Sequence, residues 1–471
     1  MTLASAQFLA FLTLVYLLWR YVARGDSARK WLLLGASYVF YATWDARFLL
    51  FLLAITVFQW VLGARIAGEI ELRRKRLWLA ASLILSLGLL AYCKYVGFFV
   101  NELSALLSAL GLGSMGPIGR AIVPIGISFY TFQSLTYTID IYRGQGQPTR
   151  SLRDFALVIA FFGHVTAGPI SRARLLIPQL ASGPAVAPSL DAQAVFLIAR
   201  GFVKKLAIAD VLAAEFVSPA FSAPGDWSSA FLVLAVVAYS FQIYMDVSGY
   251  TDLARGAGRC FGYDLAINFD RPYLARTVSN FWQRWHISMS SFFRDYLYFG
   301  IGGSRRGNVY LNLMLTFLAI GLWHGAGWNF LAYGALHGSM ICFERWRRNR
   351  SKAVPDGVPV WGGAAVWGVA TTFLFVATSR ILFVETDIGG AVEFARAVIS
   401  SEGTAGAAGA RGYLTLAVAI GLHALPTGFE QRTASWFFNR LPVVQAVGLV
   451  ALALALLALS VEPRAFVYFR F

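Results

Sequence analysis

Apolar runs close to membrane-spanning length recur from one end of this 471-residue chain to the other, and no other feature limits its fold so strongly. A helix that crosses a bilayer needs about 20 mostly apolar residues, and the hydrocarbon tolerates no backbone polar group without an internal partner. The runs lie at Ala4–Trp19, Trp31–Trp44, Phe48–Leu62, Leu77–Tyr92, Ala121–Ile139, Phe155–Ile170 and Val195–Ala213. They continue at Ala230–Met245, Val309–Trp323, Trp328–Phe343, Trp361–Phe383, Leu414–Leu425 and Val443–Leu459. Several are too short to cross alone, so the pattern predicts about 11–13 crossings with re-entrant and interfacial helices. The expected class is all-α, a polytopic membrane protein. Composition agrees: 58% of residues are hydrophobic and 14% charged, against roughly 45–50% and 25% in soluble domains.

The charge balance is basic, 40 Lys and Arg against 24 Asp and Glu. These cations gather between the apolar runs, at Arg20–Lys30, Arg65–Arg76 and Arg345–Lys352, as the positive-inside rule produces. With the first two clusters cytoplasmic, the hairpin of Trp31–Trp44 and Phe48–Leu62 turns outward near Asp45, and the N-terminus faces outward. No soluble basic module is visible, so nucleic acid is not an expected partner. No small-residue cleavage site follows the first run, which reads as a retained span. Cys93, Cys260 and Cys342 are too few and too scattered for a disulfide framework or a zinc site, and no metal is expected. With no internal repeat and no long polar stretch, residues 1–471 read as one integral-membrane domain.

Chemistry concentrates between Asp246 and His337. Asp246, Asp252, Arg255, Arg259, Asp264 and Asp270 crowd together, and Trp282–Tyr298 then reads as one amphipathic helix with His286, Ser290 and Arg294 near a common face. Polar groups in a membrane are costly and mark function by default. Histidine suits the setting, because it can be neutral in the membrane and still accept a proton. Acyl transfer to a hydroxyl needs such a base. His324 lies in Gly321-Leu-Trp-His-Gly-Ala-Gly-Trp, whose glycines allow an unusual turn or close passage of a substrate chain. The same pattern also suits a core histidine at a broken helix. His337 follows 13 positions later, on the opposite face of a continuous helix, so the two are no metal pair and His337 reads as structural. His164 and His423 read as packed side chains. Phosphate-binding loops, dinucleotide glycines, a nucleophile elbow and metal-ligand arrays are all absent.

The motifs then form a series. Pro124-Ile-Gly-Ile-Ser-Phe-Tyr-Thr-Phe-Gln, Tyr137-Thr-Ile-Asp-Ile-Tyr-Arg-Gly and Ala167-Gly-Pro-Ile-Ser-Arg are followed by Asp246-Val-Ser-Gly-Tyr-Thr-Asp and Asn268-Phe-Asp-Arg-Pro-Tyr. Phe281-Trp-Gln-Arg-Trp-His-Ile-Ser, Arg294-Asp-Tyr-Leu-Tyr, the His324 segment and Val467-Tyr-Phe-Arg-Phe complete it. In this order they resemble the membrane-bound O-acyltransferase (MBOAT) family. The likeness is to its bacterial branch that includes the alginate O-acetyltransferase membrane subunit, over about residues 90–345. The resemblance implies His324 as the catalytic base and His286 as a supporting polar residue. Asp246, Asp252, Arg294, Asp295 and Trp323 match motif positions and shape the cavity. It also implies an acyl donor from the cytoplasm, acetyl-CoA or another acyl thioester, with no resident cofactor. The acceptor side would be served by a separate periplasmic transferase of the SGNH type, at a bacterial inner membrane whose lipid surrounds the chain. The expected function is O-acetylation of an extracytoplasmic polysaccharide such as alginate. Other readings are a D-alanyl transferase for teichoic acid, a peptidoglycan O-acetylation subunit, and a transporter, flippase or scaffold without covalent chemistry.

Overall fold

A computed structural model of the chain describes residues 1–114, 123–182, 192–350, 363–385, 387–400, 403, 406–426, 428–459, 461 and 464–469. Among these residues the regular structure is helical throughout. The first helices are α1 (Ala6–Leu17), α2 (Gly25–Ala42), α3 (Phe48–Gly68), α4 (Leu72–Ala109), α5 (Ile127–Tyr142), α6 (Leu152–Ala160) and α7 (Ala173–Ala181). Next come α8 (Ala192–Phe202), α9 (Asp210–Leu212), α10 (Ser218–Ser222), α11 (Ser229–Cys260), α12 (Val278–Arg284), α13 (Ile287–Phe292) and α14 (Val309–His324). The last are α15 (Trp328–Arg350), α16 (Gly363–Ser379), α17 (Ile381–Val384), α18 (Ile388–Ser400), α19 (Ala410–Ala424), α20 (Phe429–Phe438) and α21 (Pro442–Leu459).

Among the described residues, five stretches are long and apolar enough to cross a membrane: α3, α4, α11, the run Gly363–Val384 and α21. Ala6–Val22 and α14 are apolar but shorter. Several sequence expectations change. The Leu77–Tyr92 run is part of a 38-residue helix, about 57 Å long at 1.5 Å per residue, so α4 outruns a bilayer core of about 30 Å. The Ala230–Met245 run continues unbroken through Asp246 and Asp252 to Cys260. The Phe155–Ile170 run is helical only to Ala160, and a buried irregular segment follows it. Such backbone is tolerated at membrane depth where protein surrounds it. The single amphipathic helix expected over Trp282–Tyr298 is instead α12, a break at His286, α13 and a π-helical turn over Phe293–Tyr298. The Val195–Ala213 run is interrupted by π-helical segments at Val203–Ala209 and Ala213–Val217. The starts of the Ala121–Ile139 and Trp361–Phe383 runs, and the end of the Arg345–Lys352 cluster, lie outside the described residues.

The chain forms two compact units, Met1–Ala194 with Ala254–Ala266, and Val195–Leu253 with Ile267–Phe471. In the first, α5 is buried along nearly its whole length although it carries Thr131, Gln133, Ser134, Thr136, Thr138 and Asp140. Part of its polarity is absorbed by pairing: Ser82 Oγ lies 2.8 Å from Thr138 Oγ1 and donates to Gln59 Oε1 at 2.8 Å. A buried polar group is tolerable when bonded in this way.

In the second unit, α14 and α15 cross so closely that side chains are excluded at the contact. A Cβ on Gly321 would stand 2.2 Å from the Phe330 carbonyl oxygen, and one on Gly334 would stand 2.4 Å from that of Phe317. A Cβ on Gly325 would meet the Phe330 ring at 2.1 Å. Glycines beside His324 are therefore filled against protein, and what they permit is helix packing.

Candidate active site

His286 stands where helix formation fails. Its backbone is left-handed, φ 45° and ψ 54°, a conformation costing a residue with a Cβ roughly 1–2 kcal/mol. Asn268 offsets that cost. Its backbone carbonyl accepts from Ile287 N–H at 2.9 Å, and its Oδ1 accepts from Ser288 N–H at 3.1 Å. Asn268 Nδ2 is itself anchored to Thr251 Oγ1 at 3.3 Å. One asparagine thus binds two free N–H groups at the start of α13 and fixes the corner that turns the imidazole inward. His286 is 1% exposed, and among the described residues its Nδ1 has no hydrogen-bond partner on another residue.

His324 is the last residue of α14 and is 2% exposed. Aromatic rings surround it: Trp323 at 4.8 Å between centroids, Phe383 at 4.9 Å, Tyr468 at 5.7 Å and Tyr333 at 6.1 Å. Two of these rings also touch His286, Trp323 at 5.7 Å and Tyr468 at 5.9 Å. The structure therefore brings together the two histidines singled out in the sequence, 38 positions apart, through two shared aromatic neighbours. Tyr468 lies nearly parallel to His324, at 25°, and edge-on to His286, at 89°.

Tyr468 is held there by a charge cluster that sequence reading did not assemble. Lys205 sits on the π-helical segment Val203–Ala209, and its Nζ lies 2.7 Å from Asp210 Oδ1 and 3.0 Å from Asp246 Oδ1. All three side chains are buried. Asp246 Oδ2 then accepts from Val467 N–H at 2.9 Å. Phe466 packs on Tyr250 at 4.0 Å, and Arg464 reaches Ser218 Oγ. A buried carboxylate with a lysine behind it and a backbone N–H in front is a charge-assisted anchor. The motif aspartate Asp246 thus positions the segment 464–469. A widened helical turn of the kind at Lys205 often marks a functional site, but its residues carry no such signal in the sequence.

The other candidates separate. His337 Nδ1 accepts from Trp282 Nε1–H at 3.2 Å, and its Nε2 lies 3.0 Å from Ser379 Oγ. Both nitrogens are engaged, as expected of a structural histidine, and it lies on α15 rather than on one continuous helix with His324. Asp252 pairs with Arg200 at 2.5 Å and Lys204 at 2.8 Å. Arg294 pairs with its neighbour Asp295 at 2.7 Å on an exposed turn, outside the ring cluster around His324. His164, in the first unit, is 2.8 Å from the Val158 carbonyl oxygen through Nε2 and is 1% exposed. Arg380 was not anticipated. It is buried, stacks on Trp285 at 4.2 Å and donates to the Ser240 carbonyl oxygen at 3.1 Å and to Tyr273 Oη at 2.6 Å.

The structure thus places two buried histidines within one aromatic wall in an apolar helical protein. Residues 149–384 match the model of MBOAT, the membrane-bound O-acyltransferase family. A probable alginate O-acetylase AlgI of Azotobacter vinelandii is 40% identical over 346 residues, 72% of this chain and 68% of that protein. A peptidoglycan O-acetyltransferase of Helicobacter pylori is 32% identical over 403 residues, 80% of this chain and 74% of that one. A teichoic acid D-alanyltransferase of Streptococcus thermophilus is 28% identical over 282 residues, 55% and 68% of the two chains. The matched stretches cover about two thirds to three quarters of these relatives' lengths. The chain belongs to the membrane-bound O-acyltransferase family and is a multi-pass membrane protein of the O-acyltransferase class.

Proposed function

We propose that this protein takes an acetyl group from a cytoplasmic acyl thioester, acetyl-CoA or a chemically equivalent donor, and delivers it for O-acetylation of an extracytoplasmic polysaccharide at a bacterial inner membrane. His324 is the general base. Neutral His324 takes the proton of an acceptor hydroxyl as its oxygen attacks the thioester carbonyl. Collapse of the tetrahedral intermediate expels the thiolate, which recovers the proton from the imidazolium. His286, on the other side of Trp323 and Tyr468, orients the acceptor or the carbonyl through its available Nδ1. The aromatic wall keeps water from competing for the acyl group.

The observation that carries this reading is the pairing of two buried histidines across shared aromatic rings. The likeness to O-acyltransferases disfavours a transporter or flippase. The acetyl group is favoured over D-alanine by the stronger likeness to O-acetylases, 40% and 32% identity against 28%. The polymer is reached through a separate periplasmic transferase, for which an SGNH-type enzyme is the proposed partner. The whole chain acts as one catalytic membrane domain with no resident cofactor.

The test is the acetyl content of purified exopolysaccharide, read by NMR, from cells carrying wild type, His324→Ala or His286→Ala at equal membrane abundance. His324→Ala abolishes the acetyl signal, and His286→Ala lowers it. Full acetylation with His324→Ala overturns the mechanism.

A further inference from the structure

A cavity of about 370 Å³ lies in the second unit between α8 with its π-helical continuation, α11, α19, α20 and α21. That volume falls in the range of small-molecule pockets. None of its lining residues is among the ring neighbours of His324 or His286. The walls are chiefly apolar, with Phe196, Phe429, Trp436, Phe437 and Leu452 among them.

Three features say what fits. First, Leu449 and Leu452 belong to α21, the most apolar of the described membrane-length helices, and none of its apolar stretch is buried by protein. One wall therefore stands against bilayer lipid, which supplies the occupant. Second, Arg200, Lys204 and Glu430 line the same cavity, with Asp252 behind them. Arg200 pairs with both Glu430 and Asp252. Two cations and two anions balance, so the rim carries paired opposite charges rather than a net positive field. A simple anion is poorly matched to it. A head bearing a phosphate and an ammonium group is well matched, with phosphate toward Arg200 and Lys204 and ammonium toward the exposed Glu430.

The third feature is His423. Tyr273 N–H donates to its Nε2 at 3.2 Å. A backbone amide only donates, so Nε2 is the acceptor and the ring proton resides on Nδ1. His423 is 4% exposed, lines the cavity, and its Nδ1 has no hydrogen-bond partner among the described residues. A buried donor left unmet is costly, and an ester carbonyl at the cavity wall would satisfy it.

We infer that this cavity binds one zwitterionic glycerophospholipid, with an acyl chain among the aromatic side chains, its ester carbonyl on His423 and its head across Arg200, Lys204 and Glu430. The site is independent of the acyl-transfer chemistry at His324.

The experiment is native mass spectrometry of the full chain, purified in detergent and titrated with phosphatidylethanolamine or phosphatidylglycerol of identical chains. Wild type retains one phosphatidylethanolamine and binds it about tenfold more tightly than phosphatidylglycerol, the effect of one charge-assisted contact. Glu430→Gln removes the preference. His423→Gln keeps an acceptor for Tyr273 N–H but loses the Nδ1–H donor, and retention falls several-fold. Ala199→Trp fills the cavity and abolishes retention. Should that variant fail to accumulate, Thr433→Trp, on the exposed face of α20, fills it from the opposite wall. Equal retention in the filled variants, unchanged retention in His423→Gln, or equal affinity for the two lipids overturns the assignment.

Discussion

Replacing Asp246 with alanine tests how the site is held together. Asp246 carries two contacts: Lys205 Nζ at 3.0 Å and Val467 N–H at 2.9 Å. Lys205 keeps a second carboxylate, Asp210, at 2.7 Å, so the lysine is not left as an uncompensated buried charge. The loss falls mainly on Val467, whose N–H becomes an unmet donor in a buried position. A hydrogen bond to a charged group contributes about 1.5–3 kcal/mol, and an orphaned buried donor costs about 1–3 kcal/mol. These are two descriptions of the same loss, so about 2–3 kcal/mol is the working figure. It raises the population with segment 464–469 detached by roughly 30- to 150-fold. Phe466 on Tyr250 at 4.0 Å opposes full release, so the segment loosens while the helices stay folded. Tyr468 then leaves His324 and His286. The assay is protease sensitivity of the 464–469 segment in reconstituted protein, measured beside acyl transfer. Asp246→Ala becomes sensitive and loses most activity, with helix content unchanged. Asp246→Asn keeps an oxygen for Val467 N–H and falls between. Wild-type protection together with wild-type activity in Asp246→Ala would refute the reasoning.

Further outcomes follow from the same contacts. Tyr468→Ala removes the ring shared by both histidines and lowers acyl transfer at least about tenfold, with unfolding temperature little changed. His286→Gly and His286→Ala both lose the imidazole. The glycine variant is the more stable by about 1 kcal/mol, because φ 45° no longer carries a Cβ, and comparative denaturation in detergent reads the difference. His337→Ala orphans Trp282 Nε1–H and opens a void, costing about 2–4 kcal/mol. Thermal unfolding shifts down while activity per folded molecule persists, the reverse of His324→Ala. Gly321→Ala places a methyl 2.2 Å from the Phe330 carbonyl oxygen. The α14–α15 crossing cannot close around it, and folded protein in the membrane fraction is lost.

The membrane class, the helical architecture and the family were legible in the sequence, because each rests on local chemistry. Apolar runs force helices in hydrocarbon, and ordered motifs retain residue identity wherever the fold takes them. His324 and His286 were singled out in the sequence by the ordered motifs and the family resemblance, because their local chemistry alone does not set them apart from His164, His337 and His423. Helix breaks were less legible. The pattern from Trp282 to Tyr298 satisfies helical periodicity, yet the chain turns left-handed at His286. The cause is Asn268, 18 positions upstream, taking the N–H groups of Ile287 and Ser288. Periodicity cannot register a competitor from elsewhere in the chain. The glycines around His324 misled for a related reason: a missing Cβ is visible in sequence, but what fills its place is not, and here it is the Phe330 backbone and ring.

What only the tertiary structure decided is which distant groups share one buried space. Lys205 does not stand out in the sequence, and with Asp246 and Val467 it matters because separate elements converge so that one carboxylate meets both the lysine and the Val467 N–H. His423 and His337 look alike in sequence, each a lone histidine in an apolar helix. Both nitrogens of His337 find protein partners, whereas His423 faces a cavity with one nitrogen bonded to the Tyr273 amide. The sequence determined that these side chains lie away from bulk water, because the apolar runs that carry them belong in the membrane. Whether a buried polar atom meets protein or empty space depends on the packing of helices far apart in the chain, and no local pattern encodes that.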